Sequence, residues 1–282
     1  MGWFNRGPVV PVLRLSGAIG MAAPLRPGLS ITALAGPIER AFSMSRAKSV
    51  AVVVNSPGGS PVQSSLLFRR LRQLAEEKDK RLYVFCEDVA ASGGYYVALA
   101  GDEIHADASS IVGSIGVISA SFGLDKAIEK LGIERRVYTA GANKGALDPF
   151  QPEKADDIER LKAVQRNVHD VFIGVVKDRR QGRLKGADGE LFSGAFWSAT
   201  DALDLGLIDG ISDVRTRMRE VHGPNVRLRA VPIERGWLAA WFRRLPSTGG
   251  GGGGEAPRPG LAFADDLVSA VEIRALWSRF GL

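Results

Sequence analysis

The chain has one cysteine, Cys86, and three histidines in 282 residues. A lone cysteine cannot close an intrachain disulfide, so cysteine usage leaves the redox compartment open, and the expected state of Cys86 is a buried structural thiol. His105, His169 and His222 are the only imidazoles available to activate a nucleophile, and none stands in a glycine-rich or acidic signature. Each reads as a structural or surface residue. Long hydrophobic runs are also missing: no stretch reaches the roughly 18 apolar residues of a spanning helix. Met1 to Ile19, interrupted by Arg6, Pro8, Pro11 and Arg14, reads as neither a signal peptide nor a membrane span. There is no internal repeat.

Excess charge of one sign is slight, with 37 basic residues against 31 acidic for a net charge of +6. The one basic concentration, Lys177, Arg179, Arg180, Arg183 and Lys185, reads as a solvated helix end. No aromatic or recognition motif accompanies it, so nucleic acid is not an expected partner.

What is present is an alternation of strand and helix patterns. Val9 to Ile19 reads as a first strand and Ile31 to Met44 as an amphipathic helix. Val50 to Val54 is a continuous apolar run that suits a strand buried on both faces. Ser60-Pro61 supplies a cap and a first-turn proline for a helix with Leu67, Leu71 and Leu74 on one side. Arg81 to Cys86, Glu103 to His105, Ile111 to Ile118 and Arg135 to Thr139 read as further strands. Ala91 to Ala100 and Leu124 to Leu131 read as helices between them. The alternation predicts an α/β fold with largely parallel pairing.

Pro152 is expected to open a long helix whose Ile158, Leu161, Val164, Val168, Val171 and Val175 form a stripe for the core or for another subunit. Six glycines at 249 to 254, followed by Pro257 and Pro259, mark a flexible linker. The expected organisation is a catalytic domain over 1–235, an apolar segment and linker over 236–260, and a C-terminal amphipathic helix over 261–282. Gly236 to Arg244 carries two tryptophans and ends on two arginines, which suits either a membrane interface or a helix docked on protein.

Two segments at strand-to-helix junctions can carry chemistry. Asn55-Ser56-Pro57-Gly58-Gly59 can turn backbone N–H groups towards a ligand without side-chain obstruction, as an oxyanion hole requires, or it can be a plain turn. Ala90-Ala91-Ser92-Gly93-Gly94-Tyr95-Tyr96 can hold Ser92 on a tight turn with its Oγ exposed and the amide of Gly93 behind it, or Ser92 can be a helix cap. A serine nucleophile needs a base, and a lysine serves if burial keeps its amine neutral. Lys144, among the small and turn-forming residues from Ala140 to Phe150, is one candidate; a lone loop lysine is ordinarily solvated.

Taken in order, these residues resemble the signal peptide peptidase A and SohB family of serine peptidases, from about Val9 to Val231. Asn55 to Gly59 resembles the family's oxyanion loop, and Ala91 to Tyr96 its nucleophile turn. Gly113-Ser114-Ile115-Gly116-Val117 resembles the strand and turn that follow, Lys144 with Asp148-Pro149-Phe150 the segment of the general base, and Phe196 to Gly210 the closing segment. The resemblance implies a crotonase or Clp-protease type of spiral built from ββα units, here with a helical C-terminal extension. It implies a Ser-Lys dyad in which Ser92 attacks and Lys144 exchanges the proton, with the amides of Gly59 and Gly93 on the oxyanion. Gly58 and Ser114 would support them, Ser114 by orienting the lysine. No cofactor or metal is implied.

The expected function is thus a serine endopeptidase acting through an acyl-enzyme on peptides such as signal-peptide remnants or unfolded and membrane-derived segments. The expected assembly is a homo-oligomeric ring, cytoplasmic or peripheral to the inner membrane. Two other classes stand beside it: a histidine-assisted esterase, since Ala90-Ala91-Ser92-Gly93-Gly94 approaches a nucleophile elbow without its first glycine, and a non-catalytic scaffold at a membrane surface.

Overall fold

A computed structural model of the chain describes residues 7–21, 28–233, 271 and 273–282. The sheet grows outward from β2 (Ser49–Ser56), whose Val50, Val52 and Val54 face one apolar cluster while Ala51 and Val53 face another. Burial on both faces is what its continuous apolar run predicts. On one side β2 pairs in parallel with β1 (Val9–Ser16), which pairs with β8 (Arg227–Ala230) at the edge. On the other side it pairs with β3 (Arg81–Ala91), the longest strand.

β3 has two successive partners. Its first half pairs with β4 (Glu103–Ala106), which leads to β7 (Gly210–Ile211); its last three residues pair with β5 (Ile111–Gly113). This split gives the sheet its spiral turn and leaves the end of β3 inside the structure. β6 (Phe196–Ser198) closes that edge as the antiparallel member of an eight-stranded sheet.

Helices α1 (Ile31–Ser43), α2 (Pro61–Glu77), α3 (Gly93–Ala98) and α7 (Ala199–Asp204) pack on the larger cluster with one end of α5 (Ala155–Arg179). The short α6 (Asp188–Leu191) adds Leu191. Met218 of α8 (Val214–His222) packs on the opposite face with Tyr83 and Phe85. Leu67, Leu71 and Leu74 of α2 are buried as their spacing predicts, and Ser60 accepts from Gln63 N at the helix start. Against Val89 and Ala91 of β3 lies Phe280, edge-on to Phe196 at 5.2 Å, at the end of a helix described at 271 and 273–278. The predicted interfacial segment 236–244 and the glycine linker lie outside the described residues.

Two expectations need correction. Arg135 to Thr139 is not a strand: it lies in a stretch, with α4 (Asp125–Lys130), that passes no strand of the sheet, and Tyr138 is 90% exposed. β-favouring residues without a ladder partner leave their backbone unpaired, so none forms. The strand from Ile111 stops at Gly113 because Gly113 and Ser114 take φ of 109° and 52° and turn the chain. Of the stripe on α5, Val175 packs against the core beside the buried Phe172 and Val176, while Val164 and Val171 are 55% and 61% exposed.

Candidate active site

β3 ends directly on Ser92, and the backbone there is strained. Ser92 sits at φ 50° and ψ −121°, a region that L-residues avoid and that costs about 1–3 kcal/mol. Its N–H donates to Gly113 O at 2.7 Å, so the end of β5 holds the turn. The hydroxyl makes no capping bond to α3. The cap reading therefore fails, and the side chain is left half-buried on the wall of a cavity.

The loop after β2 lies against this turn, backbone to backbone. Gly58 takes φ 106°, and a Cβ there would fall 2.9 Å from Ser92 Cβ and 2.9 Å from Gly93 N. A Cβ on Gly93 would meet Ser64 Oγ at 2.4 Å and Gly59 N at 3.4 Å. Only glycines allow this approach. Ile19 bonds to Gly58 O and Ser60 N, on either side of Gly59, which turns the Gly59 N–H away from that bridge. Neither Gly59 nor Gly93 donates its N–H to an acceptor among the described residues, and both line the cavity with Ser92. Asn55 joins the two strand ends by donating to Asp88 Oδ2 at 2.6 Å and accepting from Val89 N.

The cavity holds about 270 Å³. Its walls are Val62 of α2, Tyr96 of α3, Gly116 and Val117 beyond β5, and Val168 and Phe172 of α5. Tyr96 packs on Phe172 with ring centroids 5.0 Å apart. His169 Nε2 hydrogen-bonds Ile115 O at 3.0 Å, and Ser114 N donates to Ala195 O, so the wall at Gly116 is held from both sides. Val168 and Val171, members of the predicted apolar stripe of α5, line this cavity. Phe172 and Val176, four residues apart, were the signal for where that helix turns inward.

Lys144 is not in this cavity. It is exposed, in the turns between Gly141 and Leu147, midway along a stretch from Ile118 to Val171 in which no residue is buried. Arg135 pairs with Asp148 and lies over Phe150, and Arg160 bonds Asn143, which ties that stretch to itself and to α5. Ser114 is buried beside the Ser92 turn but does not line the cavity. The structure thus brings together Ser92, Gly58, Gly59 and Gly93, and leaves Lys144 apart from them.

His105 is buried against Phe85 and bonded to Glu103, and His222, which burial shifts down, meets Ser49 Oγ at 2.8 Å. None of the three histidines lines the Ser92 cavity, which removes the base from the esterase alternative. Burial pushes the Cys86 thiol up to about 12, which keeps it protonated and inert. Behind α3, Tyr95 donates to Leu207 O at 2.7 Å, and Arg180 bonds Gly206 O and Asp209 Oδ2. These contacts anchor α3 and the end of α5 to the segment around Gly206-Leu207-Ile208-Asp209.

The class this layout defines is a mostly parallel α/β fold of the Clp-protease type with a serine on a strained turn at the end of its longest described strand. The chain belongs to peptidase family S49, whose profile matches residues 75–224. It is 32% identical over 210 residues to the chloroplastic serine protease SPPA of Arabidopsis thaliana, covering 72% of this chain and 30% of that protein. It is also 54% identical over 275 residues to a Brucella abortus protein named Na(+)/H(+) antiporter NhaA, covering 97% of this chain and 37% of that protein. The chain spans about a third of the length of each of these relatives. Among solved structures, a mutant of the 1510-N membrane-bound stomatin-specific protease matches with a TM-score of 0.50 at 15% identity, over 80% of this chain and 98% of that one; this likeness concerns the fold. Among the described residues no helix is long and apolar enough to cross a membrane.

Proposed function

We propose that this chain is an endopeptidase in which Ser92 is the nucleophile and Lys144, delivered by a second copy of the chain, is the general base. The observation that carries the proposal is the strained Ser92 turn beside two unengaged glycine amides. The Lys144 amine takes the Oγ proton as Ser92 attacks the scissile carbonyl. The N–H groups of Gly59 and Gly93 hold the tetrahedral oxyanion, and Ser114 orients the lysine. As the C–N bond breaks, the proton passes to the departing amine. Water then cleaves the acyl-enzyme by the same exchange.

Support for a second copy comes from the stretch Ile118 to Val171, which has no buried residue yet exposes Phe122, Leu131, Ile133 and Tyr138. A ring of such chains would cover it. The apolar walls suit a peptide with an apolar side chain before the scissile bond, as in signal-peptide remnants or unfolded and membrane-derived segments. A setting at the cytoplasmic side of a membrane, held peripherally through 236–244, belongs to the same proposal. The antiporter name stays with the Brucella protein.

Ser92→Ala and Lys144→Ala should each abolish peptide hydrolysis, while a mixture of the two variants, refolded or co-expressed together, regains part of it. Retained activity in either variant refutes the dyad. Two inactive variants that do not complement would place Lys144 in the same chain as its serine. Partner binding that survives loss of both groups would instead favour the scaffold reading.

A further inference from the structure

Of the residues that line the Ser92 cavity, one is charged. Arg69 stands there with Val62 and Ser65, at spacings of three and four along α2, so all three share one face of the helix. The other arginines of that helix are engaged: Arg70 pairs with Glu39 at 2.6 Å and Arg72 with Asp102 at 2.7 Å. Arg69 has no hydrogen-bond or ion-pair partner among the described residues, and no carboxylate lines the cavity. Arg69 and Val62 are both exposed, so the guanidinium can be reached by an anion on a peptide entering the cavity.

We propose that Arg69 is a specificity-determining residue that selects peptides bearing a carboxylate near the scissile bond. This inference rests on Ser92 being the nucleophile of the cavity. From Val62, beside the oxyanion glycine, to Arg69 the helix rises about 10 Å, which matches about three residues of an extended peptide. The carboxylate is therefore an acidic side chain about three residues from the cut, or the free C-terminus of a short peptide ending there. A guanidinium holds either in the same forked geometry.

The test uses the full chain and matched peptides that carry Glu or Gln at successive positions near the cut, each made as C-terminal acid and amide. The readout is the ratio of kcat/KM between the charged and the neutral member of a pair, which cancels any general loss of activity. The native chain should favour the carboxylate about tenfold. Arg69→Gln should bring the ratio close to one, and Arg69→Glu should reverse it in favour of Lys-bearing peptides. Loss of preference on Glu-to-Gln exchange assigns it to a side chain, and loss on amidation alone assigns it to the terminus. A ratio that ignores the charge at position 69, with Ser92→Ala inactive, overturns this inference alone; an active Ser92→Ala overturns the reading beneath it.

Discussion

At the residue scale the informative position is 92, where the backbone is held in a conformation its side chain disfavours. The small residues around Ser92 made a tight turn readable in the sequence; its positive φ was not, because a capping serine has the same neighbours. The strain gives a prediction independent of activity. Ser92→Ala keeps the Cβ and its conformational cost, whereas Ser92→Gly releases it, so the glycine variant should be the more stable of two inactive proteins by about 1 kcal/mol. Denaturant midpoints of the pair would check this. Equal midpoints would mean that the neighbouring loops, and not the Ser92 backbone, bear the strain.

At the scale of elements, the site depends on what holds the end of β3. Its upper face is packed by α3; its lower face, Val89 and Ala91, is packed by Phe280 from the C-terminal helix. The sequence showed a helix able to present an apolar face but not where that face docks, since the glycine run before it allows many positions. Phe280→Ala should cost about 3 kcal/mol of docking and speed hydrogen exchange of the amides at 273–278. Turnover should fall with it, since Ala91 directly precedes Ser92, the proposed nucleophile. Unchanged exchange would show that Trp277 alone suffices to hold the helix.

A second anchor at this scale is Arg180, the last turn of α5, only 1% exposed and bonded to Asp209. Burial alone raises the Asp209 carboxyl; the hydrogen bond and charge of Arg180, the N–H of Ile104 and the charge of Arg183 outweigh it and leave the group below the ordinary carboxylate range. The unfolded chain therefore takes up a proton near pH 4 that the folded chain refuses, and this contribution to stability, complete at neutral pH, is lost as the pH falls below about 4. Arg180→Met should cost about 3 kcal/mol at pH 7 and flatten that acid dependence, as read from urea midpoints at the two pH values. The sequence reading had placed Arg180 in a solvated basic cluster. Lys177 and Lys185 fit that reading, but the helix turns Arg180 inward.

At the scale of the whole molecule, the stretch from Ile118 to Val171 stands out because none of its residues is buried. A segment with no buried residue has no core of its own, and the apolar side chains it exposes have the character of a surface meant to be covered. The expectation of a stripe facing core or subunit was half legible for that reason: periodicity shows that one face of α5 is apolar, and nothing in periodicity says what lies opposite. The failed strand at Arg135 to Thr139 has the same origin.

From the sequence alone came the alternation of strands and helices, the central buried strand, and the glycine-rich turns at Gly58-Gly59 and Ser92-Gly93, because these rest on local patterns that any chain of this composition must obey. Only the tertiary structure decided that the two turns meet, that both glycine amides are left unengaged beside Ser92, that Arg69 stands unpaired on the same cavity, and that Lys144 lies outside it. Those are distances between residues far apart in the chain, and they follow from how the sheet splits at β3 and carries each loop to one end.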